Sequence, residues 1–357
     1  MKKNVTSAAL KELDDGPTGF KEDIWSKMSE LGWLGLAIPA DYGGVGGDFM
    51  GMVVLLEEMG RACLPSPFLQ TVVAGMVIAE FGSEELKKEL LPKIASGEIK
   101  VAIALLEAEA TIEPATIRTR ATGSTDGYRI SGTKLFVEMA QVADMFITVT
   151  RTGAGQGENG ISLFLVDAKA SGISIKPIPT IGMDRLCEVD FRDVSVPENR
   201  LLGIKNKGWA VSKRIMELGA IAKCTESVGG MQTSVDMTVD YSKQRVQYDK
   251  PIGINQALQH LMANMWISMQ TSRYLVYEAA WLVSQGMPCE KEVSMSKAYV
   301  NEAYKQVGKW AVRLHGGIGT NREYDIPRFY RRAMEADSAF GGTDYHRSIV
   351  ARKIGLK

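Results

Sequence analysis

Residues 209–245 read WAVSKRIMELGAIAKCTESVGGMQTSVDMTVDYSKQR. Apolar residues recur there at helical spacing over a stretch well beyond the roughly 8–20 residues of an ordinary globular helix. Two more segments continue the pattern, QALQHLMANMWISMQTSRYLVYEAAWLVSQG (256–286) and EVSMSKAYVNEAYKQVGKWAVRLHG (292–316). Long helices joined by short connections predict a bundle. Its Met-rich, aromatic stripe from Met262 to Trp281 reads as bundle core or subunit interface. Upstream the period changes to short apolar or β-branched runs: VAIALLE (101–107), GYRISGTKLFV (127–137), MFITVTRT (145–152), ISLFLVDA (161–168), ISIKPIP (173–179) and CEVDFRDVSV (187–196). Turn signals at 123–127 and 153–157 separate them, which predicts an antiparallel β-domain. Further upstream, KEDIWSKMSELGWLGL (21–36) and GMVVLLEEMGRACL (51–64) return to helical spacing, with breaks at Pro39, at Gly43 to Gly47 and from Pro65 to Pro67. The expected fold class is α+β in three units: a helical domain over 1–99, a β-domain over 100–205 and a long-helix bundle over 206–357.

The composition narrows the function. Lys+Arg 42 balance Asp+Glu 42, and charged residues are 24% of the chain, so no basic surface advertises nucleic acid or anionic lipid. Cys63, Cys187, Cys224 and Cys289 lack metal-type spacing and read as buried thiols in a reducing compartment. The N-terminus has no apolar targeting core, and no later run reaches membrane-spanning length. A cytoplasmic location without a membrane partner is expected.

Six stretches in order then carry a resemblance: LGWLGLAIPADYGGVGG (31–47), GYRISGTKLFV (127–137), GISLFLVDAKASGISI (160–175), FRDVSVPENRLLG (191–203), YSKQRVQYDKPIGINQALQH (241–260) and LHGGIGTNREYDIPRFYRRA (314–333). Over nearly its whole length the chain resembles the acyl-CoA dehydrogenase family. The resemblance implies a tetramer built on the C-terminal bundles, FAD lying between domains, and α,β-dehydrogenation of a CoA thioester. A carboxylate would take the α-proton, flavin N5 the β-hydride, and an electron-transferring flavoprotein the electrons. LGWLG starts at residue 31, earlier than in relatives, so the first helix is expected to be short or missing.

Where members carry the catalytic Glu, in SAFGGTDYHR (338–347), this chain has Phe340, Gly341, Gly342 and Thr343, with no carboxylate in either register and with Thr343 as a candidate cofactor contact. The alternative base position in the family matches Gly219, which is empty too. Glu217, about 200° around the helix from Gly219, faces away. Glu226 returns to nearly the same face but sits roughly 10 Å further along the axis, so it is a weak substitute and reads first as an acid paired to a neighbour. Asp344 suits the dipole of a helix start.

The flavin contacts divide in two. The ring-holding segments of the family correspond to residues 106–112 and to Phe136-Val137-Glu138. Hydroxyls there have become Leu106 and Ile112, and an acid, Glu138, stands beside the N5 position. The contacts that a subunit lends to its neighbour's pyrophosphate and adenosine correspond to Arg245, Gln256, Arg313, Gly316 and Gly317, all suited to a dinucleotide. Arg313 stands where relatives have Gln. The expectation is a subunit of a heteromeric acyl-CoA dehydrogenase that lacks its own base and completes the FAD site of a related partner, an arrangement resembling bacterial members that act on bulky acyl-CoA esters. The alternatives are a homo-oligomeric FAD enzyme using Glu226 or Glu138 on an unusual CoA thioester, and a non-enzymatic acyl-CoA-binding or scaffold protein.

Overall fold

Capping side chains set the helix starts of the first hundred residues. Thr6 Oγ1 accepts the Ala9 N–H at 3.2 Å to open α1 (Ser7–Asp15). Glu22 and Asp23 face the positive end of α2 (Glu22–Glu30). Asp48 Oδ1 accepts the Gly51 N–H at 3.0 Å to open α3 (Phe49–Ala62), and Cys63 ends it in the left-handed region. Then follow α4 (Phe68–Phe81), apolar on nearly every face and therefore central, and α5 (Glu84–Ala95), capped by Ser83. The computed structural model describes residues 5–16, 18–155, 157–182 and 185–356. The first four residues, and residue 156 of the glycine-rich turn signal, lie outside them. The first helix is present, with 9 residues.

The next strands are β1 (Val101–Ala104), β2 (Arg120–Ser124), β3 (Gly127–Glu138), β4 (Met145–Arg151), β5 (Ile161–Asp167), β6 (Ile173–Pro177), β7 (Leu186–Val196) and β8 (Leu201–Leu202). They form one sheet in the order β6-β7-β3-β2-β4-β5-β8, with β1 paired to β4. Most pairs are antiparallel, as the alternation predicts. The β1–β4 pair departs from that expectation and runs parallel, Val101 opposite Met145 through Ala104 opposite Thr148. All four β1 residues are buried, which fits a parallel strand covered on both faces. β3 is bulged between Lys134 and Val137, and Phe136 there takes φ +58°. A bulge re-aims the strand's side chains, and this one turns Phe136 toward the junction with the helices.

The chain then enters α6 (Trp209–Gln244), 36 residues and about 54 Å long. A two-stranded ribbon, β9 (Val246–Gln247) with β10 (Lys250–Pro251), turns it into α7 (Gln256–Ser284), followed by α8 (Glu290–His315), α9 (Ile326–Ser338) and α10 (Thr343–Lys353). A continuous apolar core joins both helical units to one face of the sheet, and a second cluster lies on the other face. The four cysteines are buried free thiols. No helix among the described residues is long and apolar enough to cross a membrane.

Two glycines bring α3 and α6 into backbone contact. A Cβ on Gly60 would run into the backbone carbonyl of Glu226, and one on Gly229 into that of Glu57. Neither carbonyl can yield without moving its helix. Gly229→Ala is therefore expected to cost about 1–3 kcal/mol by overpacking. Gly123→Ala, at a β2 position with no atom within 4 Å of a new Cβ, is expected to change little. Urea unfolding of the two variants checks the contrast.

Candidate functional site

A cavity of about 190 Å³ opens where the sheet meets α9, with α4 on one side. Its apolar walls include Leu106, Ile112, Phe136 and Phe340, and its polar lining includes Gln70, Glu138 and Glu335. The loop over 105–112 is held by a buried ion pair. Lys134 Nζ lies 2.7 Å from Glu107 Oε1 and also donates to the Leu105 carbonyl, while Glu107 accepts the backbone N–H of Arg118 and of Thr119. Burial alone would raise the carboxyl of Glu107, but Lys134 and these N–H donors hold it below its ordinary value.

Glu138, at the end of β3, is buried and points into a polar cluster. Its Oε2 accepts from Gln70 Nε2 of α4 at 2.8 Å, and its Oε1 lies 3.6 Å from Lys223 Nζ of α6. Lys223 also pairs with Glu226 Oε2 at 3.1 Å. Burial works to lower the pKa of Lys223, but the carboxylates of Glu138 and Glu226 outweigh it and keep the ammonium charged. Burial raises the Glu226 carboxyl against the pull of Lys223. Glu226 lines a separate void of about 10 Å³ with Lys223, Tyr304 and Arg332, the room of about one water. The structure thus joins Glu138 and Glu226 through one lysine but puts only Glu138 on the cavity.

Neither of the places where the resemblance puts a base, Gly219 and the glycine pair at 341–342, carries an acid. At Gly219, a Cβ would strike the ring of Phe340, which fills that space. Phe340 takes φ +53° and Gly341 φ +98°, so the turn between α9 and α10 is left-handed twice over. A Cβ on Gly341 would lie 2.6 Å from Tyr345 Cδ1 and 2.7 Å from His346 Nε2. Gly342 is different: it has extended backbone, and the nearest atom to a new Cβ is the Asp337 carbonyl oxygen at 3.9 Å. Thr343 Oγ1 donates to Asp337 Oδ1 at 2.9 Å and does not line the cavity. Asp344 is exposed at the start of α10, and Glu217 pairs with Arg214.

The second set of residues meets at one end of the bundle. Tyr241 of α6 stacks on His315 of α8 at 4.4 Å and donates to its carbonyl. The helix ends bearing Arg245 and Arg313 are thereby pinned together, with the Gly316-Gly317 pair after them. The Ile252 N–H binds the Arg245 carbonyl at 2.9 Å, bringing the start of α7 and Gln256 to the same end. All five residues are exposed. Among the described residues neither arginine has an ion-pair partner. Gly316 takes φ +62°, which favours glycine. No atom lies within 4 Å of a new Cβ on Gly317, so no contact within the chain demands a glycine there.

The flavin implied by the resemblance fits one of these places and not the other. At the cavity, the apolar Leu106 and Ile112 offer no side-chain hydrogen bonds. Glu138 is already engaged by Gln70 and Lys223 and offers no hydrogen-bond donor to the acceptor N5 of an oxidised ring. At the bundle end, two free guanidiniums, the positive end of a 29-residue helix and an unobstructed glycine pair suit a pyrophosphate. Lys223 and Arg245 are separated by 22 positions of α6 and its cap, about 33 Å along the axis. A single extended dinucleotide does not span that distance.

Gln70, Glu107, Lys134, Lys223 and Glu335 escaped the sequence reading as a site. For Gln70 and Lys223 the sign was a polar residue inside an otherwise apolar run, FLQTVV (68–73) and AIAKC (220–224). No group of three or more metal-ligating side chains occurs among the described residues.

The chain matches three family models: acyl-CoA dehydrogenase N-terminal domain over 2–98, middle domain over 102–194 and C-terminal domain over 206–355. It is 33% identical over 361 residues to the caffeyl-CoA reductase-Etf complex subunit CarC of Acetobacterium woodii, covering 99% of this chain and 95% of that one. Among solved structures it is similar to butyryl-CoA dehydrogenase from Megasphaera elsdenii, with TM-score 0.92, 25% identity and coverage of 99% and 94%. It is also similar to a chain of the ChsE4-ChsE5 complex from Mycobacterium tuberculosis, with TM-score 0.91, 26% identity and coverage of 100% and 94%.

The left-handed turn at 340–341 is tied to a buried histidine. His346 Nε2–H donates to the Phe340 carbonyl at 2.9 Å, which leaves Nδ1 to accept from Ser294 Oγ at 3.2 Å. Burial pushes His346 down to about 4, against the hydrogen bond to Phe340 and with Lys297 nearby. The unfolded chain therefore binds more protons than the folded one between about pH 6.5 and about pH 4, and stability falls as pH falls through that window, by roughly 3 kcal/mol in full. His346→Gln is expected to flatten this part of the stability profile, read by thermal unfolding from pH 7.5 to 4.

Proposed function

Because the chain belongs to the acyl-CoA dehydrogenase family, whose members are FAD-dependent oxidoreductases acting on CH–CH bonds, we propose that it is the base-less subunit of a heteromeric member. It completes the FAD site of a related partner subunit, which carries the base and holds the flavin ring. The observation that carries this reading is the pairing of Gly219 with the Phe340 ring: one base position is taken by an aromatic side chain, and the backbone at Gly341 resists a side chain. A missing general base typically costs 10²–10⁴-fold. The bound FAD would accept hydride in the partner's site. This chain's part is to clamp the dinucleotide through Arg245, Arg313 and the helix end at Gln256, with Gly317 letting it lie close. Electrons would then pass to an electron-transferring flavoprotein. That a relative bears the name of an Etf-complex subunit, and that a similar structure is a complex of two differently named chains, favour this reading.

An exposed stripe on α7 fits the assembly. Ile267, Tyr274 and Trp281 stand seven residues apart and are 55%, 72% and 50% exposed, with Trp266 beside them. An apolar row at that period is the surface a second bundle covers. The homo-oligomeric reading through Glu226 or Glu138 is weaker, because both acids are engaged by Lys223 and one is off the cavity. The non-enzymatic reading leaves the unpaired arginines and the open glycine at 317 without a role.

Three outcomes test the proposal. The chain purified alone is expected to be colourless, and co-expression with an adjacent homologue is expected to yield a yellow complex with turnover at least about 10²-fold higher. Arg245→Gln in this chain is expected to lower the flavin content of that complex, measured as flavin absorbance per protein. Gly341→Glu is expected to restore no activity to the chain alone. A fully flavinated homo-oligomer with ordinary turnover on an acyl-CoA refutes the reading.

A further inference from the structure

The cavity ends against a ring that is held in place from several sides. Phe340 is buried with φ +53°, a conformation that bulky side chains rarely adopt. Its carbonyl is tied to His346, and the last turn of α9 before it is tied to the buried Lys297, whose ammonium donates to the Ala336 carbonyl at 2.7 Å and to the Asp337 carbonyl at 3.3 Å. The ring lies in the notch that Gly219 leaves in α6, between the cavity and the helix. One turn further along α6, Lys223 meets Glu138, which lines the same cavity. Beyond that pair the helical interior offers the void of about 10 Å³, too small for a methylene chain.

We infer that Phe340 is a stopper: seated in the Gly219 notch, it ends the cleft and makes this chain's own cavity refuse the acyl tail of a CoA thioester, so that acyl specificity is set in the partner's site. The inference rests on the subunit reading but is measured without flavin or partner. Removing the ring opens apolar space continuous with the cavity, lined by Gly219 and the residues around it. Adding a methyl at 219 instead pushes the ring out of its seat. Because both changes act on the same contact, their effects on stability overlap rather than add.

The test uses the purified full-length chain with octanoyl-CoA as probe. By titration calorimetry, Phe340→Ala is expected to bind octanoyl-CoA at least tenfold more tightly than the unaltered chain. By thermal unfolding, Gly219→Ala is expected to lower Tm, and Gly219→Ala/Phe340→Ala to melt no lower than Phe340→Ala alone. If Phe340→Ala does not yield folded protein, Phe340→Leu shortens the ring less drastically and is read the same way. Equal binding of octanoyl-CoA by the unaltered and ring-deleted chains, or strictly additive Tm losses, overturns the stopper. A chain that takes up flavin by itself sinks the subunit reading instead and leaves the calorimetric comparison standing.

Discussion

Three domains converge on one ammonium group. Lys223 lies in the middle of the longest helix of the C-terminal bundle, Glu138 at the end of a strand of the β-domain, and Gln70 on the central helix of the N-terminal domain. Gln70 binds Glu138, Glu138 faces Lys223, and Lys223 reaches Glu226 on the next turn of its own helix. Breaking a buried pair by removing one partner typically costs about 3–5 kcal/mol, since a charge is left without water or counter-ion. The cluster therefore fixes how the sheet sits against both helical units. It also occupies the polar edge of the cavity at this junction, so whatever enters the cavity meets a network already satisfied by the chain itself.

The remaining architecture follows from that constraint and from small residues placed where helices touch. Gly60 and Gly229 let α3 and α6 meet backbone to backbone, which brings the N-terminal domain close enough for Gln70 to reach across. Gly219 admits the ring of Phe340, and Lys297 and His346 hold the turn that carries it. One end of the chain's chemistry is thereby closed by packing. The opposite end of α6 is left exposed, with two guanidiniums and an unobstructed glycine facing outward. The separation of these two places along a straight helix is what makes a single chain look like half of two different sites.

Much of this was legible beforehand because helix period, strand alternation and turn residues are local properties. The three long helices, the run of short strands and the breaks between them are visible in the pattern of apolar residues, and the family motifs point to the glycines at 219, 341 and 342. Long-range choices were not legible. The parallel pairing of β1 with β4 joins segments some forty residues apart, and nothing in VAIA specifies its partner. Glu107 lay inside a loop read for its lost hydroxyls, while its bond to Lys134 shows that its work is to hold that loop. Glu335 sits on a helix whose sequence alone is merely charged, and only folding turns it toward the cavity.

The sequence by itself determined which atoms are available: no carboxylate at 219, 341 or 342, no hydroxyl at Leu106 or Ile112, and arginines at 245 and 313 with glycines at 316 and 317. Composition is a property of the chain and survives any arrangement of it. Tertiary structure alone decided where those atoms stand. It put Phe340 against Gly219, gave Glu138 to Lys223, and set Arg245 roughly 33–39 Å along the helix axis from Lys223 and Gly219, because burial, steric exclusion and the rise of a rigid helix act between residues that are distant in the chain.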